Sequence, residues 1–512
     1  MSAVTAEATS HGGAVVSGMP APTRDPRQNP SRPPDVLRLD SPAGRWVVAA
    51  SILASGAVFL EGSTVNVALP AIARDFHLGV EGLQWVLNGY LLTLTALMLL
   101  GGALGDRFRR STVFGVGCVA FAVASAGCAL APGIVALVGL RLVQGAAGAL
   151  VVPNSLAMLE TAFRGDERGA AIGRWAAWSA VSSAAGPLLG GWLVDAASWR
   201  WVFASVVVLS LAAAWIMMRH ARVIDGQSAP SDGGSAAHVD YIGAVLATLG
   251  LGGTIGALIV GPDLGFAHPA VLVAGVGGVL MLCGFVMAEL RVAARGARPL
   301  LPIAVFRSRQ FTGANITTLL IYAALSALLF LLMPQLQTNL GYSALAAGAA
   351  LLPTNVLMVA LSPLAGRVSA RIGPRIPMTA GALVTAAGVA LFARVQPGAP
   401  YLTIVLPAAV VFGLGLAMFV APLTTAVLGA LDEREAGIAS GINNAVARLA
   451  GLVATAALPL AAGLGGLEHL GGPDFTAGYV RATWISAGLC VVAAVVALLT
   501  ISGRPSADRS RR

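Results

Sequence analysis

The 512-residue chain contains no lysine: its 32 basic residues are all arginines, set against 23 acids, so guanidinium groups alone carry the formal charge of +9. Charge of either sign is scarce. Only 11% of residues are charged and 57% are hydrophobic, against roughly 25% charged in an ordinary soluble domain. A chain of this composition uses a bilayer as its solvent. The arginines lie in short stretches between long apolar runs rather than on a polar domain, so nucleic acid is excluded as the partner for the positive charge.

Cysteine is as rare. Cys118, Cys128, Cys283 and Cys490 each fall inside an apolar run, without CxxC or metal-ligand spacing, which argues against a disulfide framework or a metal site. The six histidines, His11, His77, His220, His238, His268 and His469, fall in termini or between apolar runs, so no imidazole is expected in the bilayer to hold haem or a catalytic metal. A GxxxxGK[ST] phosphate loop is missing, which excludes an ATP-driven pump. No cluster of His, Asp or Cys marks one membrane face, so no catalytic residues, and no enzyme, are expected. Without a cofactor, the energy source left is the proton-motive force.

What the sequence has in abundance is apolar runs. A hydrocarbon core about 30 Å thick needs roughly 20 apolar residues per helix. Runs of that order occur at 46–69, 83–104, 112–131, 134–159, 170–194, 201–218, 241–260, 270–290, 311–333, 344–365, 377–393, 401–428, 437–463 and 482–501. The expected fold is therefore all-α and integral to the membrane, with fourteen transmembrane helices. Placing the N-terminus in the cytoplasm puts roughly 25 arginines inside and only Arg74, Arg200, Arg394 and Arg481 outside. Arg141, Arg174 and Arg448 fall within spans. The expected location is the inner or plasma membrane, multi-pass, with both termini cytoplasmic.

The segment Gly102-Ala-Leu-Gly-Asp106-Arg107-Phe-Arg109 after the second run has a weaker echo in Gly366-Arg-Val-Ser-Ala370-Arg371-Ile-Gly373 after the tenth. A repeat of six spans with two helices inserted between the copies accounts for that spacing. The expected organisation is a polar, disordered tail over 1–45, a six-helix bundle over 46–219, linkers with two inserted helices over 220–309, a second six-helix bundle over 310–502, and a short tail over 503–512.

Four patterns carry chemistry. The first run holds Leu60-Glu61-Gly-Ser63-Thr64-Val65-Asn66-Val67-Ala68-Leu69-Pro70, and an ionised carboxylate at such depth is costly unless it is paired, neutral or wet. The fourth run holds Arg141-xx-Gln144-Gly145-x-Ala147-Gly148-Ala149, with Arg141 at a depth matching Glu61, so the two have the means to share the cost of burial. The Gly102–Arg110 loop is the third. The fourth is Gly186-Pro187-Leu-Leu-Gly190-Gly191, where small residues permit close helix approach and the proline removes a helical hydrogen bond.

In this order the four patterns resemble those of the fourteen-span drug:proton antiporter family of the major facilitator superfamily. Smaller agreements are Gln84-Trp85 with Tyr90, Trp199-Arg200-Trp201, Asp240-x-x-Gly243, and Ala439-Ser440-Gly441 with Asn443, Asn444 and Arg448. Glu61 stands where that family usually has Asp, Ser63 where it has Thr, and Arg109 where the loop usually has Gly. The resemblance implies two six-helix bundles plus two extra helices and antiport of protons against small, mainly hydrophobic compounds. It assigns proton coupling to Glu61 and Arg141, with Gly102, Asp106 and Arg107 as a gate latch. Gly186, Pro187, Gly190 and Gly191 then form the antiporter motif. The alternative reading is a proton-coupled importer, or an exporter of one specific metabolite.

Burial favours a neutral carboxyl and a neighbouring arginine favours the ionised form. Parting and rejoining Glu61 and Arg141 would therefore load and release a proton. Spans 9–14 as bounded above contain no Asp or Glu, which favours neutral, zwitterionic or anionic substrates over cations. Candidate cavity residues are Gln84, Trp85, Asn88, Tyr90, Asn154, Asn443, Asn444 and Arg448, with Asn315, Gln335 and Asn355 as further amides. The expected partners are a small hydrophobic substrate, protons and the lipid bilayer, with no nucleic acid. The sequence sets no oligomeric state.

Overall fold

In the computed structural model the described residues are 37–225, 241–295, 301–431 and 435–503, and all of their regular structure is helical. The first group of helices comprises α1 (Pro42–Phe76), α2 (Val80–Arg107), α3 (Arg110–Ala129), α4 (Ile134–Ala162), α5 (Gly165–Ala196) and α6 (Arg200–Asp225). A hairpin follows, α7 (Tyr241–Leu264) and α8 (Pro269–Ala294). The second group is α9 (Arg309–Pro334), α10 (Ala344–Ala349), α11 (Leu352–Ile372), α12 (Arg375–Phe392), α13 (Leu406–Leu428), α14 (Ala436–Ala461) and α15 (Pro473–Thr500).

Local chemistry sets the ends of these helices. Ser41 caps α1 by accepting a hydrogen bond from the Gly44 N–H at 3.0 Å, Pro42 opens the first turn, and His77 closes the helix in the left-handed region. Ser308 and Ser343 cap α9 and α10 in the same way. The run expected at 344–365 is two helices, interrupted at Ala350–Leu351 ahead of Pro353 in the first turn of α11. The last helix begins at Pro473, well before 482, because its first turns carry Asp474 and Arg481 and so read as polar.

Several helices run past the apolar runs that mark them in the sequence. His220, expected between runs, lies on α6 and stacks on Trp46, with ring centroids 6.0 Å apart. Asp263 belongs to α7. Glu289 is fully buried on α8, its Oε2 accepting from the Leu301 N–H at 2.9 Å. Of the expected 1–45 tail, residues 1–36 lie outside the described residues. Leu37 and Leu39 are buried against the base of α1. The expected 503–512 tail likewise lies outside them from 504 onward.

Among the described residues, thirteen helices are long and apolar enough to cross a membrane. The remaining long helix is α5, which has the length but not the hydropathy: its first half carries Asp166, Glu167, Arg168 and Arg174, and its second is rich in Ser, Gly and Pro. It packs on α1 and α10.

Within the first group α1 packs on α5 and α6, α2 on α4, and α3 on α4 and α6; within the second, α12 packs on α13 and α15, and α9 on α14 and α15. The hairpin helix α7 lies against both α2 and α14, and Leu92, Ile255, Ile259, Leu452 and Ala456 form a small core where the three meet.

The two ends of the molecule differ. At the end remote from the termini, one hydrophobic core runs from Val65–Ala73, Val80–Leu87 and Trp199–Phe203 of the first group into the second. At the end that carries the termini the first group keeps a core of its own, built from Val47–Leu60, Leu94, Phe114, Met158 and Met217. Hydrogen bonds between the groups follow the same division. Asp195 accepts from the N–H groups of Ala344 and Leu345 at 3.0 and 2.8 Å, Gln337 donates to the Val67 carbonyl at 2.9 Å, and Gln84 donates to the Thr455 carbonyl at 2.8 Å. The most central is Asn355 to the Ala184 carbonyl at 3.3 Å. Among the described residues none joins the groups nearer the termini, so the molecule is closed at the far end and parted at the near one.

Candidate functional site

Glu61 and Arg141 meet. Both side chains are fully buried, and Arg141 Nη1 donates to Glu61 Oε1 between α4 and α1. The guanidinium is held from several sides. Nε donates to the Val86 carbonyl of α2 at 2.9 Å, and Nη1 also donates to Gln144 Oε1 at 2.7 Å. Gln144 Nε2 donates to Ser125 Oγ of α3 at 2.8 Å. The Tyr90 ring lies 4.4 Å from the guanidinium carbon and that of Phe203 5.7 Å, while the Tyr90 hydroxyl donates to the Val58 carbonyl at 3.2 Å. Five helices of the first group thus fix one charge pair. Gly145 makes this possible, because a Cβ there would strike the Tyr90 carbonyl and the Thr93 hydroxyl.

The pair is incompletely satisfied. Among the described residues, Glu61 Oε2 and Arg141 Nη2 are buried and make no hydrogen bond. A buried ion pair gains stability only when geometry is good and remaining lone pairs find partners, and breaking one by removing a partner costs about 3–5 kcal/mol. The unbonded oxygen is chemically able to take a proton, and a proton there would weaken the attraction to Arg141.

The glycine motif on α5 acts on two neighbours. A Cβ on Gly186 would collide with the Ser63 side chain, and one on Gly190 would press on the Thr64 backbone, so both admit α1. Gly191 faces the other group: a Cβ there would fall 2.5 Å from the Ala344 carbonyl oxygen. Pro187 completes this contact, its carbonyl lying against Gly348. These four residues therefore sit where the far end closes.

The Gly102–Arg110 loop does not dock on the second group. Asp106, with 55% of its side chain exposed, pairs with Arg110 one turn on at 2.6 Å, and Arg107 is exposed. Gly102 lies near Pro153 of α4. The physical reason is the parted near end, which leaves the loop no partner across the gap.

The amides divide. Asn154 does not line the cleft: its Nδ2 donates to the carbonyls of Gly101 and Leu150 at 2.9 and 2.8 Å and ties α4 to α2. Gln84 and Asn88 belong to the far seal, the latter accepting from Thr455 Oγ1 at 2.6 Å. Trp85 packs beside Gly256 of α7. Gln335 donates to the Val395 carbonyl at 3.1 Å, within the second group. Asn443 bonds Asn315 and Thr318 of α9 at 3.2 and 2.7 Å. Asn444 is exposed, and one turn further Arg448 reaches across to Phe59 of α1, 5.6 Å from its ring centroid. Sequence reasoning missed Ser125, Phe59, Trp175, Asp195 and Thr455. Asp195 ends a helix next to a motif that was read, whereas the others carry no local signal.

The family model of the Major Facilitator Superfamily matches residues 51–455. The chain is 33% identical over 482 residues to the puromycin resistance protein pur8 of Streptomyces alboniger, covering 90% of this chain and 92% of that one. It is 33% identical over 408 residues to the tetracenomycin C resistance and export protein of Streptomyces glaucescens, covering 78% and 72%. The multidrug resistance protein Stp of Mycobacterium tuberculosis is 31% identical over 439 residues, covering 84% and 75%. In fold it is similar to a bacterial homologue of the human lysosomal transporter Spinster in an inward-facing, unoccupied conformation (TM-score 0.59, 17% identity, 90% and 97% covered). It is also similar to the D-xylose–proton symporter (TM-score 0.60, 15% identity, 90% and 98% covered). Family match, identity across most of each relative and a bundle of membrane-spanning helices lead to one conclusion: the chain is a multi-pass membrane protein of the Major Facilitator Superfamily.

Proposed function

We propose that this protein exports small, mainly hydrophobic compounds across the plasma membrane in exchange for protons, with both termini in the cytoplasm. The observation that carries the reading is the buried Glu61–Arg141 pair with one carboxylate oxygen unbonded. Glycine packing at Gly186, Gly190 and Gly191 supports alternating access, because it lets α5 roll against α1 and α10 without a side chain to obstruct it. The relatives are named for antibiotic resistance and export, which supports the outward direction. The arginine bias supports an orientation with the parted end toward the cytoplasm, in which this arrangement is the one that collects substrate.

In this scheme a proton from outside neutralises Glu61 and loosens Arg141, and its release inside restores the pair. Reconstituted protein should move protons inward when a drug is added against an imposed pH gradient. Glu61→Gln should lower that flux by at least about 100-fold, roughly 2.7 kcal/mol or more, while drug binding persists. Equal flux in wild type and variant would remove Glu61 from the mechanism, and drug moving with the protons would make the protein an importer.

A further inference from the structure

Three charged side chains stand where α1 comes nearest to α14: Glu61 and Arg141 in the first group and Arg448 in the second. Arg141 is committed to Glu61, Gln144 and the Val86 carbonyl. Arg448 is not committed: among the described residues it makes no hydrogen bond and no ion pair, and its guanidinium carbon lies 5.6 Å from the Phe59 ring centroid. It is partly buried, twelve residues into α14 from Ala436 and thirteen from Ala461, so it lies near the middle of the helix and not at a headgroup. Among the described residues, the acids of the second group lie elsewhere. Glu435 precedes α14 at the near end, and Asp474 and Glu468 sit at the far end. A long cation held at mid-depth without a counter-ion carries an unrecovered desolvation cost. A ligand is the natural source of the missing charge.

The neighbourhood says what else that ligand carries. Phe59 is half-buried and meets Trp175 of α5 edge-on, with centroids 6.4 Å apart. Trp175 is oriented by donating from Nε1 to Ser55 Oγ at 3.0 Å. One turn toward the near end on α14, Asn444 is exposed. A guanidinium therefore stands near mid-depth, across from two aromatic side chains of the opposite bundle.

We propose that Arg448 binds the acid group of the transported compound and that Phe59 and Trp175 pack its ring system, so the substrate class is an aromatic amphiphile bearing one ionised acid. This rests on the export reading for its meaning but not for its test. A guanidinium takes a carboxylate through two parallel N–H bonds, a geometry an ammonium does not match. Because the aromatic wall belongs to the first group and Arg448 to the second, a compound bound to both spans the interface along which the groups move.

The test is binding to the full chain in lipid nanodiscs, read by tryptophan fluorescence and calorimetry, with 2-naphthoate, its methyl ester and 2-naphthylmethylammonium as probes. Wild type should bind the acid at least about tenfold tighter than the ester, or about 1.4 kcal/mol, and the amine weakest. Arg448→Gln should lose that factor for the acid and leave the ester unchanged, and the unchanged ester doubles as the control for folding. Arg448→Lys, which keeps the charge and loses the fork, should fall between. Phe59→Ala should weaken acid and ester together. Equal binding of acid and ester by wild type, loss of both in Arg448→Gln, or saturable binding of neither probe would overturn the proposal. Acid-selective binding without pH-driven transport would leave the site standing and remove only the export reading.

Discussion

The two bundles bury charge in opposite ways. In the first, Glu61 and Arg141 are enclosed together, and five helices supply the carbonyls, amide, hydroxyl and rings around them. In the second, Arg448 stands by itself with an aromatic ring from across the interface. A buried pair is neutral as a unit, whereas a lone cation lacks a counter-charge. The comparison teaches that the repeated architecture need not repeat its chemistry: on the proposals above, one copy serves energy coupling and the other recognition.

Breaking the pair from the arginine side should give the largest effect. Arg141→Leu leaves a buried carboxylate without its partner and should cost about 3–5 kcal/mol, seen as a fall in thermal midpoint of the detergent-solubilised protein. Arg448→Leu removes a cation with no partner and should leave the midpoint unchanged or raise it, so equal losses would break the contrast between the bundles. Asp195→Ala is next. It removes two charge-assisted hydrogen bonds at the far seal and should shift the balance toward the outward-open arrangement by about 1–3 kcal/mol, read as a change in distance between spin labels on the far ends of α5 and α10. Asp106→Asn should be smallest, below about 1 kcal/mol in stability, because in this arrangement Asp106 makes only an exposed pair with Arg110.

Much of this was legible in the sequence for a physical reason. Intramembrane charges and glycines at helix contacts are rare enough to be informative, and Glu61, Arg141, Gly186, Gly190 and Gly191 all stand at contacts between helices. Where the reading went astray, the signal was shared by two causes. An amide in an apolar run suits a cavity and equally suits helix packing, and Asn154 turned out to do the second. Hydropathy finds the hydrocarbon and not the helix, so it stopped short of His220, Asp263 and Asp474. On α5 the signal is weakest, because charges fill its first half and Ser, Gly and Pro dilute its second. Ser125 and Thr455 matter only through partners far away in sequence, and no local pattern announces such residues.

On the proposed mechanism the unpaired guanidinium has an electrical meaning. With Glu61 ionised, Glu61, Arg141 and Arg448 together carry one net positive charge, which an inside-negative potential, worth up to about 2.3 kcal/mol per charge at 100 mV, would draw toward the cytoplasmic side. An acid seated on Arg448 would cancel that charge, so the loaded carrier would turn outward without electrical work. A proton on Glu61 after the acid has left would raise the three groups to two positive charges, and the membrane voltage itself would then drive their return.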